Sequence, residues 1–265
     1  MLIDPKAAKV RGVAKLTKKD ARSSTGLFLL EGPQGLKEAL DRPKLIVELY
    51  ATEDAVERYP DLFERAESAR IQLQMVSEPV LKALTDTTTP QGVVAVCEQL
   101  DVTLEDIIAA KPQLVALLAN IRDPGNAGTV LRAADAAGAD AVIFSSNSVD
   151  VYNPKVVRST TGSLFHLPFA VDVEIEDAVK ALKAAGLQVF AANGGAEEIP
   201  SLQAETLSKP TAWVFGNEAW GFEQTTLDLV DRQVSVPIYG AAESLNLATA
   251  ASICLYASAF AQNSQ

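Results

Sequence analysis

Three polar, glycine-containing segments in the C-terminal half of the 265-residue chain carry the side chains best suited to ligand chemistry. Residues 120–134 read N-I-R-D-P-G-N-A-G-T-V-L-R-A-A, residues 213–222 read W-V-F-G-N-E-A-W-G-F, and residues 236–251 read V-P-I-Y-G-A-A-E-S-L-N-L-A-T-A-A. Amide and hydroxyl groups orient a ligand by hydrogen bonds, and an arginine pairs well with phosphate. Glycines beside a carboxylate let the backbone approach a ligand closely.

Each of these residues also has a purely structural explanation. Asn126 is placed to cap the helix that follows it, and one of Ser244 and Asn246 is placed to cap the next helix. Arg132 interrupts an apolar run, where a buried salt bridge is the alternative to a functional role. The Gly-Asn-Glu stretch at residues 216–218 is also compatible with a simple tight turn.

Common catalytic signatures are absent from the sequence. It contains no GxGxxG, GxxxxGK[ST], HExxH or GxSxG pattern. The single histidine, His166, lies in an apolar context that favours a packing role in the core. Cys97 and Cys254 lie in separate apolar runs, which predicts buried free thiols, and there is no CxxC pattern. We therefore expect no metal cofactor.

Short apolar runs alternate with amphipathic stretches, which predicts an α/β fold with mostly parallel strands. Predicted strands cover residues 45–49, 71–76, 92–97, 114–119, 141–145, 188–192, 212–215 and 234–237. Predicted helices cover residues 35–40, 59–69, 78–84, 104–109, 127–137, 175–185, 223–229 and 247–261. All three polar segments then lie at strand ends, and ligands of open α/β sheets bind at the carboxyl ends of strands.

Length and charge indicate two domains with unlike properties. An acidic stretch near residues 100–111 predicts a boundary, with residues 1–103 in one domain and 104–265 in the other. The formal charge of −11 by itself disfavours a nucleic-acid partner. Residues 1–22, however, carry seven lysines and arginines against two aspartates, a net charge of +5 that leaves −16 for the rest. A basic N-terminal arm suits phosphate binding, and a disordered tail is the alternative.

The composition is that of an ordinary globular protein, with 48% hydrophobic and 22% charged residues. No apolar run reaches the roughly 18 to 20 residues that cross a bilayer. The first twelve residues lack the apolar core of a secretory signal. We expect a cytoplasmic protein with no membrane partner.

In order and combination, the three segments closely resemble the three motifs of the SpoU/TrmH family of RNA 2′-O-ribose methyltransferases, which belongs to the SPOUT class. The similarity follows N-x-R-D-P-G-N-x-G-x-x-x-R, F-G-N-E-x-x-G and P-I-x-G-x-x-x-S-L-N-x-x-x-A, and extends over residues 114–261. Residues 19–32 and 89–95 resemble parts of the family's small substrate-binding domain, which has an L30e-like fold.

This resemblance implies a catalytic domain with a deep trefoil knot, formed here by loops at residues 192–196, 215–221 and 236–246. It implies S-adenosylmethionine as the methyl donor, held in the knot largely by backbone groups. Family members are usually homodimers that share the active site across the interface. RNA is the implied partner, and the L30e-like domain favours ribosomal RNA of the 23S type over tRNA.

Matching motif positions assign roles to individual residues. The implied catalytic residues are Asn126, Arg132, Glu218, Ser244 and Asn246. The implied cofactor contacts are Asn193, Gly194, Gly216, Val236, Ile238 and Leu245. Arg158 resembles a further basic position of the family that contacts RNA. Lys19 and Arg22, in the basic arm, are the other expected RNA contacts.

The implied reaction is an in-line attack of a ribose 2′-hydroxyl on a sulfonium methyl group, so the protein must align both partners and help remove a proton. The family assigns proton removal to the residue that matches Arg132, although arginine normally keeps its proton above about pH 12. Positioning of an RNA phosphate is therefore the alternative role for Arg132. Asn126, Ser244 and Asn246 would orient the arginine and the ribose.

Other functions remain open at this point. A tRNA 2′-O-methyltransferase would carry the same motifs. A non-catalytic RNA-binding protein could retain the fold, but it would be indicated by loss of motif residues, and none is lost. A different nucleotide-binding α/β enzyme is disfavoured because phosphate-binding motifs are absent. Binding of S-adenosylmethionine, but not of NAD or ATP, would separate these alternatives.

Overall fold

The computed structural model describes residues 1–264. Its strands are β1 (Leu27–Glu31), β2 (Ile46–Ala51), β3 (Leu73–Met75), β4 (Val93–Glu98), β5 (Leu114–Leu118), β6 (Ala141–Ser145), β7 (Phe169–Val173), β8 (Gln188–Glu198), β9 (Thr211–Phe215) and β10 (Arg232–Ser235). Its helices are α1 (Ala8–Ala14), α2 (Lys19–Thr25), α3 (Pro33–Ala39), α4 (Glu53–Arg58), α5 (Pro60–Ser68), α6 (Glu78–Leu84), α7 (Leu104–Ala109), α8 (Pro124–Ala136), α9 (Pro154–Thr160), α10 (Ile175–Ala184), α11 (Ala204–Leu207), α12 (Gln224–Leu227) and α13 (Leu247–Asn263).

Every strand and helix that the sequence predicts corresponds to an element of this fold. The sequence did not predict strands β1 and β7, or helices α1, α2, α4, α9 and α11. Each of these five helices has seven residues or fewer. Helices this short show little periodicity and are stabilised mainly by tertiary packing, so local sequence indicates some of them, such as α3 and α7, and misses others.

The chain folds into two compact units, and the first consists of Met1–Leu100 and Asp150–Phe165. Its sheet has the order β1-β4-β2-β3. Strand β4 pairs antiparallel with both β1 and β2, and only the β2–β3 pair is parallel. The expectation of mostly parallel strands is therefore wrong for this unit, because β4 runs against both of its neighbours.

The basic N-terminal stretch is not an arm, and the alternative of a disordered tail is also wrong. Most of it forms α1, a 3-10 turn at Lys15–Thr17 and α2. Val10, Val13 and Leu16 are buried in the core of the first unit, so apolar spacing anchors this stretch. The neighbouring cationic residues Lys9, Arg11 and Lys15 are exposed.

Arg22 is an exception among these cationic residues, because it is only 2% exposed. Its Nε and Nη2 atoms donate to Oδ2 of Asp150, at 2.9 and 2.5 Å, and Nη1 donates to the carbonyl oxygen of Leu16 at 2.8 Å. A guanidinium enclosed in this way can be buried because its charge is paired and its donors are used. The prediction that Arg22 contacts RNA is therefore wrong for this structure.

Residues 150–165 complete the core of the first unit, although they are distant from it in sequence. The ring of Phe28 on β1 packs against Tyr152, with centroids 4.9 Å apart, and against Phe165 at 6.4 Å. Asp150 supplies the carboxylate that neutralises the buried arginine. The predicted division into two domains, each formed by one continuous segment of the chain, does not assign residues 150–165 to the first unit. The boundary between residues 103 and 104 stays a prediction.

The second unit consists of Asp101–Val149 and the described residues from His166 onward. Its six strands are all parallel, in the order β10-β8-β9-β5-β6-β7. Strands β5, β6 and β9 are buried at every position, as expected for a parallel sheet that is covered on both faces. This sheet confirms the predicted α/β class with mostly parallel strands.

Helix α13 is fixed against this sheet by a buried polar contact. Nε1 of Trp213, on β9, donates to Oγ of Ser258 at 2.9 Å, and both residues are fully buried. Small residues on the inner face of α13 let it pack closely against α8 and β9. The N-terminus of α13 is thereby held at the carboxyl edge of the sheet. Across residues 1–264, no helix is both long enough and apolar enough to cross a membrane.

Candidate active site

The three motif segments come together in one cavity of about 370 Å³ at the carboxyl edge of the parallel sheet. All the predicted cofactor contacts line it, and so do all the predicted catalytic residues except Arg132. The remaining lining residues are Ala192, Asn217, Gly221, Phe222, Val234, Glu243, Leu247 and Ala250.

The first motif enters the cavity through helix α8. Asp123, not Asn126, is the N-cap residue, because its Oδ1 accepts the backbone N–H of Asn126 at 2.7 Å. Pro124 occupies the first helical turn, where a missing N–H costs nothing. The prediction that Asn126 caps this helix is therefore wrong. Its side chain is left free to bond elsewhere.

A directed chain of hydrogen bonds links the three motifs. Nδ2 of Asn246 donates to Oδ1 of Asn126 at 3.0 Å, and Nδ2 of Asn126 donates to Oε1 of Glu218 at 3.1 Å. Oδ1 of Asn246 also caps α13, since it accepts from the backbone N–H groups of Ala248 and Thr249. The capped helix end thus fixes the orientation of both amides, and Asn126 presents its N–H group to the carboxylate.

The loop at residues 216–221 positions Glu218. Asn217 and Gly221 exchange two backbone hydrogen bonds, of 2.8 and 2.9 Å, which close the loop. A Cβ atom at Gly216 would lie 2.6 Å from the carbonyl oxygen of Gly221, so the closed loop requires glycine there. Nδ2 of the buried Asn217 donates to the carbonyl oxygen of Asn120 at 2.6 Å and ties this loop to the first motif.

The opposite wall of the cavity includes an irregular part of β8. In the backbone pairing of β8 with β10, Gln233 of β10 lies opposite Ala191, but the next residue, Val234, lies opposite Glu197. Residues 192–196 of β8 therefore bulge out of this pairing. Asn193 lies in this bulge, and its Nδ2 donates to Oε1 of Gln233 at 3.0 Å. Gly194 has no atom within 4 Å of the position where a Cβ would lie. The bulge therefore gives an open, uncharged backbone surface.

The third motif supplies the outer wall. Ile238 and Leu245 are exposed apolar side chains of the segment between β10 and α13, and both line the cavity. Ser244 is exposed and also lines it. Apolar walls with a few polar groups suit a purine ring and its sugar.

The charge of the cavity is one-sided. Glu218 and Glu243 are its charged lining residues, and within the described part of the chain no lysine, arginine or histidine lines it. Phosphates of NAD or ATP would meet two carboxylates and no cationic side chain among these lining residues. A methyl donor with a sulfonium and an ammonium group fits this lining.

Arg132 does not reach this cavity. It lies on α8 six residues after Asn126, and at 100° per residue the two side chains point about 120° apart around the helix. Arg132 is exposed, and no other residue of the range 1–264 forms an ion pair with it. Neither a buried position on an apolar face nor a structural salt bridge explains this residue.

The proposed RNA contacts of the first unit have unequal surroundings. Lys19 is exposed at the start of α2. Arg158 is 30% exposed, and its guanidinium pairs with Oε2 of Glu31 at 3.1 Å and with Oδ2 of Asp86 at 3.3 Å. The Glu31 side chain is 3% exposed, so Arg158 neutralises a buried carboxylate. Because its guanidinium is engaged by these two carboxylates, Arg158 has few hydrogen-bond donors left for an RNA phosphate.

The remaining nucleophile candidates lie outside the cavity. His166 is not a core residue as predicted, because its ring is 44% exposed and Nδ1 lies 2.8 Å from Oδ2 of Asp135. Cys97 and Cys254 are free and buried, as predicted. Burial raises the pKa of Cys254 to about 12 and raises the pKa of Cys97 further, so neither thiol is activated. Among residues 1–264, no three or more histidine, cysteine, aspartate or glutamate side chains come together in a way that could hold a metal ion.

Sequence reasoning missed some lining residues. Glu243 directly precedes the third-motif pair, and its carboxylate next to Ser244 was an available signal. Asn217 was missed because its role is to bond a carbonyl oxygen 97 positions away in sequence. Phe222 closes the cavity beside Gly221 and looks like an ordinary core residue in the sequence.

Comparison with known proteins agrees with this geometry. The family model described as SpoU rRNA Methylase family matches residues 113–256. A second model, described as RNA 2′-O ribose methyltransferase substrate binding, matches residues 29–103.

Full-length relatives and solved structures point the same way. The chain is 38% identical over 255 residues to the 23S rRNA (guanosine(2553)-2′-O)-methyltransferase RlmP of Bacillus subtilis, covering 95% of this chain and 96% of that one. It is 34% identical over 229 residues to the 23S rRNA (guanosine-2′-O-)-methyltransferase RlmB of Nitrosomonas europaea, covering 84% and 86%. An AdoMet-bound rRNA methyltransferase from Sinorhizobium meliloti superposes with a TM-score of 0.84 and 30% identity, covering 97% and 96%. The chain belongs to the SpoU rRNA methylase family.

Proposed function

We propose that this protein transfers the methyl group of S-adenosylmethionine to a ribose 2′-hydroxyl of 23S-type ribosomal RNA. The observation that carries the proposal is the single cavity in which Asn126, Glu218 and Asn246 meet the predicted cofactor contacts. The relatives with the names given above act on 23S rRNA, which favours this substrate over tRNA.

The cavity residues fit the methyl donor. Ile238, Leu245 and Val236 would enclose the adenine. Gly194 leaves room for the backbone to approach the ligand, because no atom lies within 4 Å of its would-be Cβ. The donor supplies an activated methyl group and a neutral leaving group. The protein then needs only to hold the donor and the ribose in line.

The hydrogen-bonded chain of Asn126, Glu218 and Asn246 has a positioning role in this proposal. Because both amides are already oriented before substrate arrives, the ribose meets fixed donors and acceptors. Ser244 is exposed beside them and adds a hydroxyl that can either donate or accept.

We infer a homodimer through the second unit, in which Arg132 of the partner subunit completes the site. Arg132 is exposed, unpaired within residues 1–264, and absent from the lining of the cavity formed by its own chain. Helix α13 has an exposed apolar face that suits a second copy, with Ile253 40% exposed and Phe260 67% exposed beside Tyr256. Arg132 would position an RNA phosphate, or it would accept the hydroxyl proton where a phosphate and the sulfonium alter its surroundings.

Several further features follow from the family resemblance. We infer a deep trefoil knot in which residues 192–196, 215–221 and 236–246 take part, since members of all three segments line the cavity. We infer an L30e-like fold for the first unit, and RNA contacts from its exposed lysines, including Lys19. A ribosomal RNA substrate would place the protein in the cytoplasm.

Calorimetry with S-adenosylmethionine, NAD and ATP tests the cofactor assignment. We expect binding of the first alone, and a protein that binds NAD or ATP instead would refute it. Mapping of 2′-O-methyl groups in RNA from cells with and without the gene then identifies the substrate. Loss of one methyl group from 23S rRNA supports the proposal, whereas a loss confined to tRNA would replace it with the tRNA activity.

The Arg132→Ala variant tests the catalytic assignment. We expect it to bind S-adenosylmethionine normally and to lose methyl transfer, and full turnover would contradict this role. Mixing Arg132→Ala with Gly216→Ala tests the shared site, because mixed dimers would regain part of the activity. A strictly monomeric protein in light scattering would exclude the dimer.

A further inference from the structure

One carboxylate of the active-site cavity has no partner among residues 1–264. Glu218 accepts the side-chain N–H of Asn126 at 3.1 Å, and its second oxygen lies 3.5 Å from the backbone nitrogen of Arg122. Glu243 lines the same cavity, but no residue in the range 1–264 gives it a hydrogen bond or an ion pair. Glu218 is therefore committed to holding the motifs together, whereas Glu243 is free to face a ligand.

The elements on either side of Glu243, strand β10 and helix α13, fix its position at the cavity. It lies in the segment between β10 and α13, next to Ser244 and three residues before Asn246, which caps α13. Its side chain is exposed, so water solvates the carboxylate before a ligand binds. When a ligand fills the cavity, part of this water leaves, and the attraction between the carboxylate and a positive charge becomes stronger.

The donor and its product differ in the charge that Glu243 would meet. S-Adenosylmethionine carries a sulfonium, an ammonium and a carboxylate, so its net charge is positive. S-Adenosylhomocysteine has lost the sulfonium charge and is neutral overall. A carboxylate without a competing cation nearby therefore distinguishes the two, while walls of apolar side chains and backbone groups do not.

We propose that Glu243 makes the cavity selective for the cationic methyl donor over its neutral product. This inference rests on the proposed function, because it takes S-adenosylmethionine as the ligand. The consequence for turnover is that the product leaves more readily than the donor. Glu243 acts on ligand binding and has no part in removing the hydroxyl proton.

The test is calorimetry of both ligands with the full-length wild-type protein and with Glu243→Gln. Glutamine keeps the shape of the side chain and removes the charge. We expect wild type to bind S-adenosylmethionine more tightly than S-adenosylhomocysteine. In Glu243→Gln, we expect affinity for the donor to fall about tenfold, with less than a twofold change for the product.

Two further variants make the outcome specific. Glu243→Asp retains the charge and should retain most of the selectivity. Glu205→Gln removes an exposed carboxylate of α11 that lies outside the cavity, and it should leave both affinities unchanged. Its melting temperature and that of Glu243→Gln should match wild type.

The inference and the proposed function fail in different ways. If wild type binds neither ligand, the proposed cofactor is wrong. If wild type binds the donor but Glu243→Gln binds it equally well, only the role of Glu243 is overturned. An equal loss for both ligands also overturns it, because the carboxylate would then contact a group that both ligands share.

Discussion

A single methyl group at Gly216 is predicted to disorganise the active-site loop. In Gly216→Ala, the new Cβ would lie 2.6 Å from the carbonyl oxygen of Gly221 and 2.8 Å from its carbonyl carbon. Both are backbone atoms, so no side-chain rotation relieves the contact. The ring of Phe222, 3.1 Å away, blocks the remaining direction.

Relief requires the two ends of the loop to separate. Moving the oxygen from 2.6 Å to an ordinary contact distance needs a shift of about 0.9 Å. A shift of that size lengthens the paired hydrogen bonds of 2.8 and 2.9 Å between Asn217 and Gly221 beyond bonding distance. Overpacking of this kind typically costs about 1 to 3 kcal/mol of unfolding free energy.

The functional effect should exceed the effect on stability. Glu218 lies within the loop, and its 3.1 Å contact with Asn126 depends on the position of the loop. We expect affinity for S-adenosylmethionine to fall at least tenfold, which corresponds to about 1.4 kcal/mol. A destabilisation of about 2 kcal/mol lowers the melting temperature by about 4 to 8 °C in a protein of this size class.

Calorimetry and thermal melting of Gly216→Ala measure both effects. Gly12→Ala is the control, because Gly12 has no atom within 4 Å of its would-be Cβ and lies in α1, outside the cavity. This control should bind like wild type and melt no lower, since alanine favours a helix over glycine. Wild-type affinity and melting temperature in Gly216→Ala would refute the argument that the loop is closed by contact between backbone atoms.

Three other variants test separate parts of the structure. Asn246→Asp keeps the oxygen that caps α13 but cannot donate to Asn126, so we expect a wild-type melting temperature with methyl transfer reduced at least tenfold. Asp150→Ala leaves the buried guanidinium of Arg22 unpaired, and chemical denaturation should show a loss of about 3 to 5 kcal/mol. The last variant replaces three exposed lysines of the N-terminal stretch together, Lys15, Lys18 and Lys19. It should reduce the slope of log affinity for RNA against log salt by about 0.7 for each lost phosphate contact, and an unchanged slope would remove this surface from the RNA interface.

The site could be predicted from sequence to the extent that its parts are local. The first two motifs follow the fully buried strands β5 and β9, and the third follows the half-buried β10. Parallel strands bring their carboxyl ends to one edge of a sheet. That rule, together with the family motifs, is sufficient to assemble Asn126, Glu218 and Asn246 in one cavity. The sequence could also have predicted that Arg132 lies outside the cavity. It follows Asn126 by six residues in the same helix, so its side chain points to a different face.

Other features depend on partners that are distant in sequence, and one sequence does not reveal these. Arg22 was interpreted as an RNA contact because it belongs to a basic stretch. Its burial depends on Asp150, which is 128 positions away. Arg158 likewise depends on Glu31, which is 127 positions away. A charged side chain can be buried only if it has a partner of opposite charge. That partner can be distant in sequence, so the ion pair becomes visible only in the folded chain.

Net charge gives a misleading indication of the partner for a related reason. The net charge of −11 is a sum over all charged side chains of the protein, and no ligand contacts all of them at once. The cavity has two carboxylates and no cation among its described lining residues, which suits a cationic donor and repels phosphate. Exposed lysines lie instead on the N-terminal helices of the first unit. Screening over about 10 Å at 0.1 M salt makes each local patch act separately, so an acidic chain can bind both RNA and a positively charged cofactor.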